Sequence, residues 1–237
     1  MTIPESHPRK ASLDVRHRLT EGFRRGLVAE AGLIAHGRGE CFDYLLGERT
    51  RVQAAGAEKA AAGLLLAAGN PVISVNGNAA AIVPRELVEL AEATGAKLEV
   101  NLFYRTRKRE KLVAAALRTA GARKVYGLNK KHMIPGLGSM RANVDDAIWQ
   151  ADVVLVMLED GDRTEALKRM GKRVIAVDLN PLSRTAKKAD ITIVDNLVRA
   201  IPNMIKYVRQ MEKRGKTKKI KFNNKKNLKL MDKIIRA

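Results

Sequence analysis

The stretch "ADVVLVMLEDGDRTEALKRMGKRVIAVDLNP", Ala151–Pro181, contains two strand-like runs separated by a helix-like segment. The runs "VVLVM" and "VIAV" are continuously apolar and rich in β-branched residues, as in strands that are covered on both faces of a sheet. The segment "DRTEALKRMG" has helix-forming residues and ends in glycine. A helix that joins two such strands produces a parallel pair. The stretch therefore predicts an α/β fold built on a parallel sheet.

The same alternation extends in both directions along the chain. Upstream strands are predicted in "PVISVNG", "KLEVNLFY" and "RKVYGLN", with helices in "PRELVELAEATGA" and "RKREKLVAAALRTAG". Downstream, "ADITIVDN" predicts a last strand and "LVRAIPNMIKYVRQMEK" a closing helix. About six strands are expected from this pattern. The predicted fold class is a Rossmann-like three-layer α/β sandwich with a mostly parallel sheet, preceded by an N-terminal helical segment.

We expect three segments along the chain. Residues 1–70 form an N-terminal helical segment packed on the core, residues 71–213 the Rossmann-like α/β core, and residues 214–237 a basic C-terminal extension. Within the first segment, helices are predicted at Ser12–Arg25, Gly39–Gly47 and Arg51–Ala68.

Two stretches interrupt the predicted elements. Gly37 and Gly39 flank Arg38 in "AHGRGE", and because glycine destabilises a helix interior by roughly 1 kcal/mol, we expect open backbone there that a phosphate can approach. The stretch Lys130–Val144 carries proline and glycines and is predicted to be a long functional or mobile loop.

Positive charge is concentrated at the C-terminus. The net charge is +20 at pH 7, and thirteen of the 45 Lys and Arg residues lie between Lys206 and Ala237. From about Arg214 we expect a solvated basic extension with no apolar face to dock and at most one helical turn. Binding of nucleic acid is expected only through this tail, which has Phe222 as its one aromatic residue for stacking on bases.

The composition of the chain favours the cytoplasm and argues against membrane association. The chain has one cysteine, Cys41, so it forms no internal disulfide, as is typical of the reducing cytoplasm, where we expect the protein. The uncharged run Ala60–Pro84 has the length of a membrane span, but turn-forming glycine, asparagine and proline interrupt it. We therefore expect no membrane association.

Polar residues follow most of the predicted strands. Each such segment has a structural explanation, because Asn-Gly forms turns and Asp or Ser caps helices. The carboxyl ends of parallel strands nevertheless meet at one edge of a sheet, where ligands bind. Asp178 and Asn180 suit a ribose or a base, and Arg184 and Thr185 suit phosphate oxygens. The chain has neither the G-x-G-x-x-G fingerprint after a strand nor a Walker A motif, so a nucleotide site without a standard phosphate loop is predicted.

Five long motifs resemble a known family. "AGLIAHGRGECFDYLLGER", "NPVISVNGNAAAIVP", "VNLFYRT", "LEDGDRTEALKRMGKRVIAVDLNPLSRTA" and "ADITIVDNLVRAIPN" are similar to the archaeal phosphopantothenate synthetases, or 4-phosphopantoate–β-alanine ligases. The resemblance runs from about Ser6 to Val208 and does not include the basic tail. It implies an ATP-binding, homodimeric ligase of coenzyme A biosynthesis. That ligase condenses 4-phosphopantoate with β-alanine and releases 4′-phosphopantothenate, AMP and pyrophosphate.

The resemblance also implies which residues contact ATP. The implied contacts are Arg16, Arg38, Asp178, Leu179, Asn180, Arg184, Thr185, Asn196 and Leu197.

The implied reaction sets further requirements. An acyl-adenylate forms when a carboxylate attacks the α-phosphorus of ATP, which requires cations and Mg²⁺ near the phosphates. Arg16, Arg38 and Arg184 are the predicted cations, and Arg38 is the one assigned a catalytic role. Asp160 and Asp162 are candidate metal or amine partners, although the metal ligands themselves remain unassigned.

The phosphate of the acid substrate requires its own polar pocket. Asn76, Asn78 and Arg105 are the substrate-binding candidates because they follow the first two predicted strands.

Two other functional classes are compatible with the composition. One is a basic α/β protein that binds nucleotides or nucleic acid without ligase activity, suggested by the charge. The other is a nicotinamide-dependent oxidoreductase, suggested by the sheet type. The missing glycine fingerprint argues against the oxidoreductase, and a fold alone does not decide function.

Overall fold

The computed structural model describes residues 3–138, 140–215 and 221–237, without the side chain of Arg141. Among these residues the helices are α1 (Lys10–Arg24), α2 (Glu30–Leu45), α3 (Val52–Leu66), α4 (Gly77–Ile82), α5 (Pro84–Thr94), α6 (Arg107–Thr119), α7 (Asp146–Gln150), α8 (Gly161–Arg169), α9 (Arg184–Lys188), α10 (Leu197–Lys213) and α11 (Asn224–Arg236). A short 3₁₀ helix spans Met140–Ala142.

Six of the strands form the central sheet, and two more form a small separate pair. The strands are β1 (Pro71–Val75), β2 (Lys97–Val100), β3 (Val125–Tyr126), β4 (His132–Met133), β5 (Asn143–Val144), β6 (Val153–Met157), β7 (Arg173–Val177) and β8 (Ile191–Ile193). The central sheet is parallel throughout, in the order β3-β2-β1-β6-β7-β8. The predicted α/β class and the six strands are confirmed.

Successive side chains along each strand point to opposite faces of the sheet, and apolar clusters cover both faces. In β1, Ile73 and Val75 belong to one apolar cluster with α3, α5, α6 and α10, whereas Val72 belongs to a second cluster with α7 and α8. In β6, Leu155 lies in the first cluster and Val156 in the second. The protein therefore has three layers, with helices on both sides of the sheet.

The N-terminal segment is helical, but one of its predicted features is wrong. Gly37 and Gly39 lie inside the continuous helix α2, so the backbone between them is not open. The predicted helix Gly39–Gly47 is the second half of this longer element. Another glycine allows α2 to lie close to α4, because a Cβ on Gly32 would lie 2.4 Å from Oδ1 of Asn78.

The stretch Lys130–Val144 is more ordered than a plain loop. Strands β4 and β5 pair antiparallel within it. Ile134, Leu137 and Ala142 are buried in the second apolar cluster. These contacts anchor much of the stretch to the face of the sheet that α7 and α8 also cover.

The basic C-terminus is not a solvated extension over residues 221–237, so that expectation is wrong there. Residues 216–220 lie outside the described part of the chain. Helix α11 packs its apolar side, including the buried Leu228 and Met231, against Leu46 and Leu179. The apolar residues of α11 recur at helical spacing among the lysines, and the high charge obscured this pattern in the sequence.

Helix α11 also protects the edge strand β8. Oδ1 of Asn224 accepts a hydrogen bond from the Thr192 backbone nitrogen (2.8 Å), and Nδ2 of Asn227 donates to the Thr192 carbonyl (2.9 Å). The two asparagines satisfy backbone groups that another strand would otherwise pair, which prevents edge-to-edge association.

No helix within the described ranges combines the length and apolar character needed to cross a bilayer.

The edge contact predicts a stability effect. Asn224→Ala leaves the buried backbone nitrogen of Thr192 without its partner, which costs about 1–3 kcal/mol for an unsatisfied buried group. We expect a lower urea midpoint for this variant, measured by circular dichroism. The exposed neighbour Lys225, changed to Ala, is the matched control and keeps the wild-type midpoint. An unchanged midpoint for Asn224→Ala means that α11 does not stabilise the edge strand.

Candidate active site

The strand order changes direction between β1 and β6. Strand β1 continues into α4 and α5, which lie on the face of the sheet covered by the first apolar cluster. Strand β6 continues into α8, on the face covered by the second cluster. When the connections after two neighbouring strands run to opposite faces of a sheet, a crevice forms between the strand ends. Ligands of open α/β sheets bind in that crevice. Asn76 spans the two strand ends, because its Nδ2 donates to the Met157 carbonyl (2.6 Å).

A cavity of about 320 Å³ lies at this crevice. We call it the switch-point cavity. It is lined by Ala29, Ala31, Gly32, Ala35, Arg38, Asn76, Gly77, Asn78, Asn101, Leu102, Phe103, Tyr104, Arg109, Leu158, Glu159 and Asp160.

Four of the predicted site residues meet in this cavity, namely Arg38, Asn76, Asn78 and Asp160. Arg38 extends from α2 and is exposed. Among the described residues it forms no ion pair or hydrogen bond. The two asparagines have structural bonds: Oδ1 of Asn76 accepts from the Ala79 nitrogen (3.0 Å), and Nδ2 of Asn78 donates to the Gly32 carbonyl (2.8 Å).

A second group of predicted residues lies beside the cavity, at the end of β7. Asp178 accepts hydrogen bonds from the Asn180 nitrogen (2.9 Å) and the Ser183 hydroxyl, which fixes the loop before α9. Burial raises the pKa of Asp178, while Ser183, the Asn180 nitrogen and the charge of Arg38 act against that rise. Asp178 and Arg38 thus influence each other electrostatically. Leu179, the residue after Asp178, is buried.

Helix α9 connects this loop to the cavity. Thr185 is buried, and its hydroxyl donates to the Glu159 carbonyl (2.7 Å). Arg184 is exposed and pairs with Asp162 and with Glu165 (2.6 Å). Asp162 therefore lies on the surface of α8 and is not among the residues that line the cavity.

The remaining ATP candidates lie on α10 and α1. Asn196 caps α10, and its Nδ2 donates to Oδ2 of Asp43 on α2 (2.9 Å), so α2 and α10 are fixed together at the site. Leu197 is buried in the core.

Arg16 on α1 donates to the Glu40 carboxylate (3.0 Å). Burial favours a higher pKa for Glu40, but its bonds from Arg16 and Tyr44 outweigh this and lower the pKa.

Arg105, a predicted substrate residue, is not among the residues that line the cavity. Its Nε donates to the buried Glu110 (2.7 Å). Arg109, in the first turn of α6, lines the cavity instead and donates to the carbonyls of Tyr104 and Leu27. Burial lowers the pKa of Arg109, and none of the described carboxylates pairs with it. Arg109 therefore brings an uncompensated positive charge to the cavity.

Two further polar side chains at predicted strand ends, to which the sequence assigns no specific role, also line the cavity. Asn101 is 2% exposed, and neither its Oδ1 nor its Nδ2 has a partner among the described residues. Buried amides are normally hydrogen-bonded, so an unpaired amide that lines a cavity indicates a ligand group. Glu159 also lines the cavity, and burial raises its pKa to about 7. Both follow strands, but no sequence pattern distinguishes them from ordinary loop residues.

The described residues contain no group of three or more acidic, histidine or cysteine side chains in a metal-binding arrangement. Glu159 and Asp160 both line the cavity, however. Mg²⁺ in nucleotide-dependent enzymes is commonly held by one or two carboxylates together with the phosphates. The side chains present therefore fit a magnesium–nucleotide complex better than a site formed by protein alone.

The chain is similar to proteins of a known family. The family model described as "Phosphopantothenate/pantothenate synthetase" matches residues 53–237. A Thermococcus kodakarensis protein named 4-phosphopantoate–beta-alanine ligase is 58% identical over 214 residues, 90% of this chain and 82% of that protein. A protein of the same name from Methanosarcina mazei is 50% identical over 230 residues, 95% of this chain and 91% of that protein.

The matched region includes residues 214–237, so the expectation that the family pattern excludes the tail is wrong. The family match covers more than half of the chain, and the relatives are similar over nearly its whole length. The chain belongs to the phosphopantothenate/pantothenate synthetase family.

Proposed function

We propose that this protein is an ATP-dependent ligase that joins 4-phosphopantoate to β-alanine and releases 4′-phosphopantothenate, AMP and pyrophosphate, a step of coenzyme A biosynthesis. The observation that carries the proposal is the switch-point cavity, where the ends of β1, β2 and β6 bring amides and carboxylates together with Arg38 and Arg109. The names of the relatives supply the substrates, and the cavity supplies groups that suit both the acid and the nucleotide phosphates.

The chemistry requires activation of a carboxylate. A carboxylate repels an amine and has a poor leaving group, so its oxygen first attacks the α-phosphorus of ATP and pyrophosphate leaves. Negative charge accumulates on the phosphate oxygens during this attack. Arg38 is exposed beside the cavity and has no carboxylate partner among the described residues, so its guanidinium is available for that charge.

The nucleotide is placed on the β7 side of the cavity. The loop Asp178–Asn180 receives the ribose and base, and Thr185, Asn196 and Leu197 border the same region. Arg16 and Arg184 are in ion pairs in this structure, so each exchanges a carboxylate for a phosphate when ATP binds. Asp160 and Glu159 would hold Mg²⁺ together with the phosphates, and the ion would supply further charge neutralisation.

The acid substrate is placed in the inner part of the cavity. Its phosphate requires a cation, and Arg109 lines the cavity whereas Arg105 is paired with Glu110. Asn76 and Asn78 border the same space. We therefore assign the phosphate of the acid substrate to Arg109, with Asn76 and Asn78 beside it. Arg105 is a second cation, and it neutralises the Glu110 carboxylate.

Two further properties complete the proposal. We propose a homodimer that acts in the cytoplasm, where ATP is available and the lone Cys41 stays reduced. Nucleic-acid binding through the tail is the less favoured function, because the apolar face of α11 packs onto the core and its asparagines bind β8.

The products distinguish the adenylate route from an acyl-phosphate route. With ATP, Mg²⁺, 4-phosphopantoate and β-alanine, we expect AMP and pyrophosphate in amounts equal to the amide, measured by ion-exchange chromatography. Appearance of ADP and phosphate contradicts the adenylate route. Pantoate, which lacks the phosphate, is the matched control substrate. It leaves the Arg109 cation unpaired, and we expect it to react far more slowly because unpaired polar groups in a site strongly disfavour an analogue. Equal rates with pantoate contradict the phosphate assignment.

Arg38→Ala tests the predicted catalytic cation. Loss of one donor to a transition-state oxyanion costs about 2.7–4 kcal/mol, or a factor of about 10²–10³ in rate. We expect this loss in the pyrophosphate exchange that depends on 4-phosphopantoate, with an unchanged melting temperature because the side chain is exposed. Arg24→Ala, at the exposed end of α1, is the control and keeps the wild-type rate. Wild-type exchange in Arg38→Ala removes Arg38 from the mechanism.

A further inference from the structure

We infer that Asn101 recognises the 2-hydroxy acid group of 4-phosphopantoate. Its amide oxygen accepts a hydrogen bond from the 2-hydroxyl, and its amide nitrogen donates one to the neighbouring carboxylate. This inference rests on the proposed function, because it names the residue that selects a hydroxy acid at that site. The names of the relatives give the substrate, but they assign no residue to its hydroxyl.

The end of β2 holds Asn101 in a fixed position. Strand β2 ends at Val100, and the Asn101 backbone nitrogen then donates to the Val75 carbonyl (2.9 Å), which continues the ladder with β1 by one residue. Gly127 lies against the same strand end, because a Cβ there would lie 2.3 Å from the Val100 carbonyl oxygen. The side chain of Asn101 therefore extends from the backbone of the sheet, which positions a binding group more precisely than a loop does.

The amide of Asn101 differs from the two other asparagine amides of the switch-point cavity. Asn76 uses both of its amide atoms in bonds to the backbone, and Nδ2 of Asn78 donates to Gly32. Asn101 is 2% exposed, yet neither of its amide atoms has a partner within the described ranges. An unpaired polar group is unfavourable when it is buried. A bound molecule that supplies both a donor and an acceptor satisfies this amide.

The acid substrate carries one group of each kind on adjacent carbons. An amide oxygen requires a hydrogen-bond donor, and an amide nitrogen requires an acceptor. At pH 8 the carboxylate and the phosphate of 4-phosphopantoate are ionised, so they only accept hydrogen bonds. The 2-hydroxyl is then the single donor of the molecule, and it lies next to the carboxylate. This pair of groups matches the two atoms of one amide.

The other two substrates match the Asn101 amide less well. The loop proposed to hold the nucleotide follows β7, and the order β2-β1-β6-β7 places that strand about 14 Å from β2, at about 4.8 Å for each neighbouring pair. Asn101 therefore lies on the side of the cavity assigned to the acid. In β-alanine, two methylene groups separate the ammonium from the carboxylate, so the donor and the acceptor are further apart than in the hydroxy acid.

The apolar side chains beside Asn101 suit the next part of the acid. Leu102 and Leu158 also line the cavity. In 4-phosphopantoate, the carbon that follows the hydroxyl-bearing carbon has two methyl groups, and contact with leucine side chains removes their apolar surface from water. Arg109 in the same cavity is the assigned partner of the phosphate at the far end of the molecule. The cavity thus offers a partner for each part of the acid.

The test compares 4-phosphopantoate with its 2-deoxy analogue, in which hydrogen replaces the 2-hydroxyl. Pyrophosphate exchange is measured without β-alanine, so the assay reports only the acid and ATP. For the wild-type protein we expect kcat/KM to be about 10–100-fold lower with the analogue, the factor for one buried polar group left unpaired. Asn101→Ala is expected to lose a similar factor with 4-phosphopantoate and to react at nearly equal rates with the two acids. Such non-additivity identifies a direct interaction.

The same variant separates recognition from a structural role. Asn101→Ala removes an amide that has no partner among the described residues, so we expect the melting temperature without ligands to stay at the wild-type value. A large fall in that temperature shows that the amide stabilises the fold, and it overturns the inference. Asn70→Ala is the matched control, because Asn70 is exposed and lies directly before β1, at the opposite edge of the sheet. This control keeps the wild-type preference for 4-phosphopantoate.

The results distinguish this inference from the proposed function. Equal exchange with the two acids in the wild-type protein, or an unchanged preference in Asn101→Ala, overturns the role of Asn101 and leaves the ligase reaction in place. If either protein shows no exchange, binding of both acids is measured by calorimetry with a non-hydrolysable ATP analogue present. Binding of the 2-deoxy analogue that is about 10–100-fold weaker in the wild-type protein, but equally weak for both acids in Asn101→Ala, supports the inference independently of the adenylate route. Equal binding of the two acids to the wild-type protein, or no binding of either, overturns it.

Discussion

The site depends on one constraint of the parallel sheet, namely that β1 and β6 are neighbours whose following helices lie on opposite faces. No helix can close the space between two such strand ends, so a crevice is left at the carboxyl edge. The chain lines that crevice with Asn76, Asn101 and Glu159, one side chain from the end of each of three strands. The geometry of the proposed reaction follows from this arrangement rather than from a glycine-rich phosphate loop.

Helix α2 supplies the other side of the site, and its position is fixed at both ends. Gly32 allows close contact with Asn78, and Asp43 accepts from Asn196 and pairs with Arg199 of α10. Between these anchors, Arg38 extends toward the cavity from a face that α2 leaves exposed. The C-terminal helix α11 contacts the same region through Leu179 and through β8. Residues 221–237 thus pack against the loop proposed to hold the nucleotide, although their composition resembles that of a solvated extension.

The sequence predicted what depends on local periodicity and on strand order. The β-branched runs predicted the six-stranded parallel sheet, and polar strand ends together with the family resemblance predicted Arg38, Asn76, Asn78 and Asp160, which meet in one cavity. Prediction from the sequence failed where tertiary packing outweighs local composition. Gly37 and Gly39 lie inside a helix despite their low helix propensity, and α11 docks despite its charge. The choice between Arg105 and Arg109 depends on the buried Glu110, which no local pattern reveals.

In the proposed function, the acid and the nucleotide meet at the switch-point cavity. The most direct test is a crystal structure with 4-phosphopantoate and a non-hydrolysable ATP analogue bound together. We expect the α-phosphorus next to Arg38, the base and ribose at Asp178–Asn180, and the acid within the cavity, where its polar groups contact Asn101 and Arg109. A nucleotide bound away from the ends of β6 and β7, or an acid outside the cavity with Asn101 still unpaired, contradicts this arrangement.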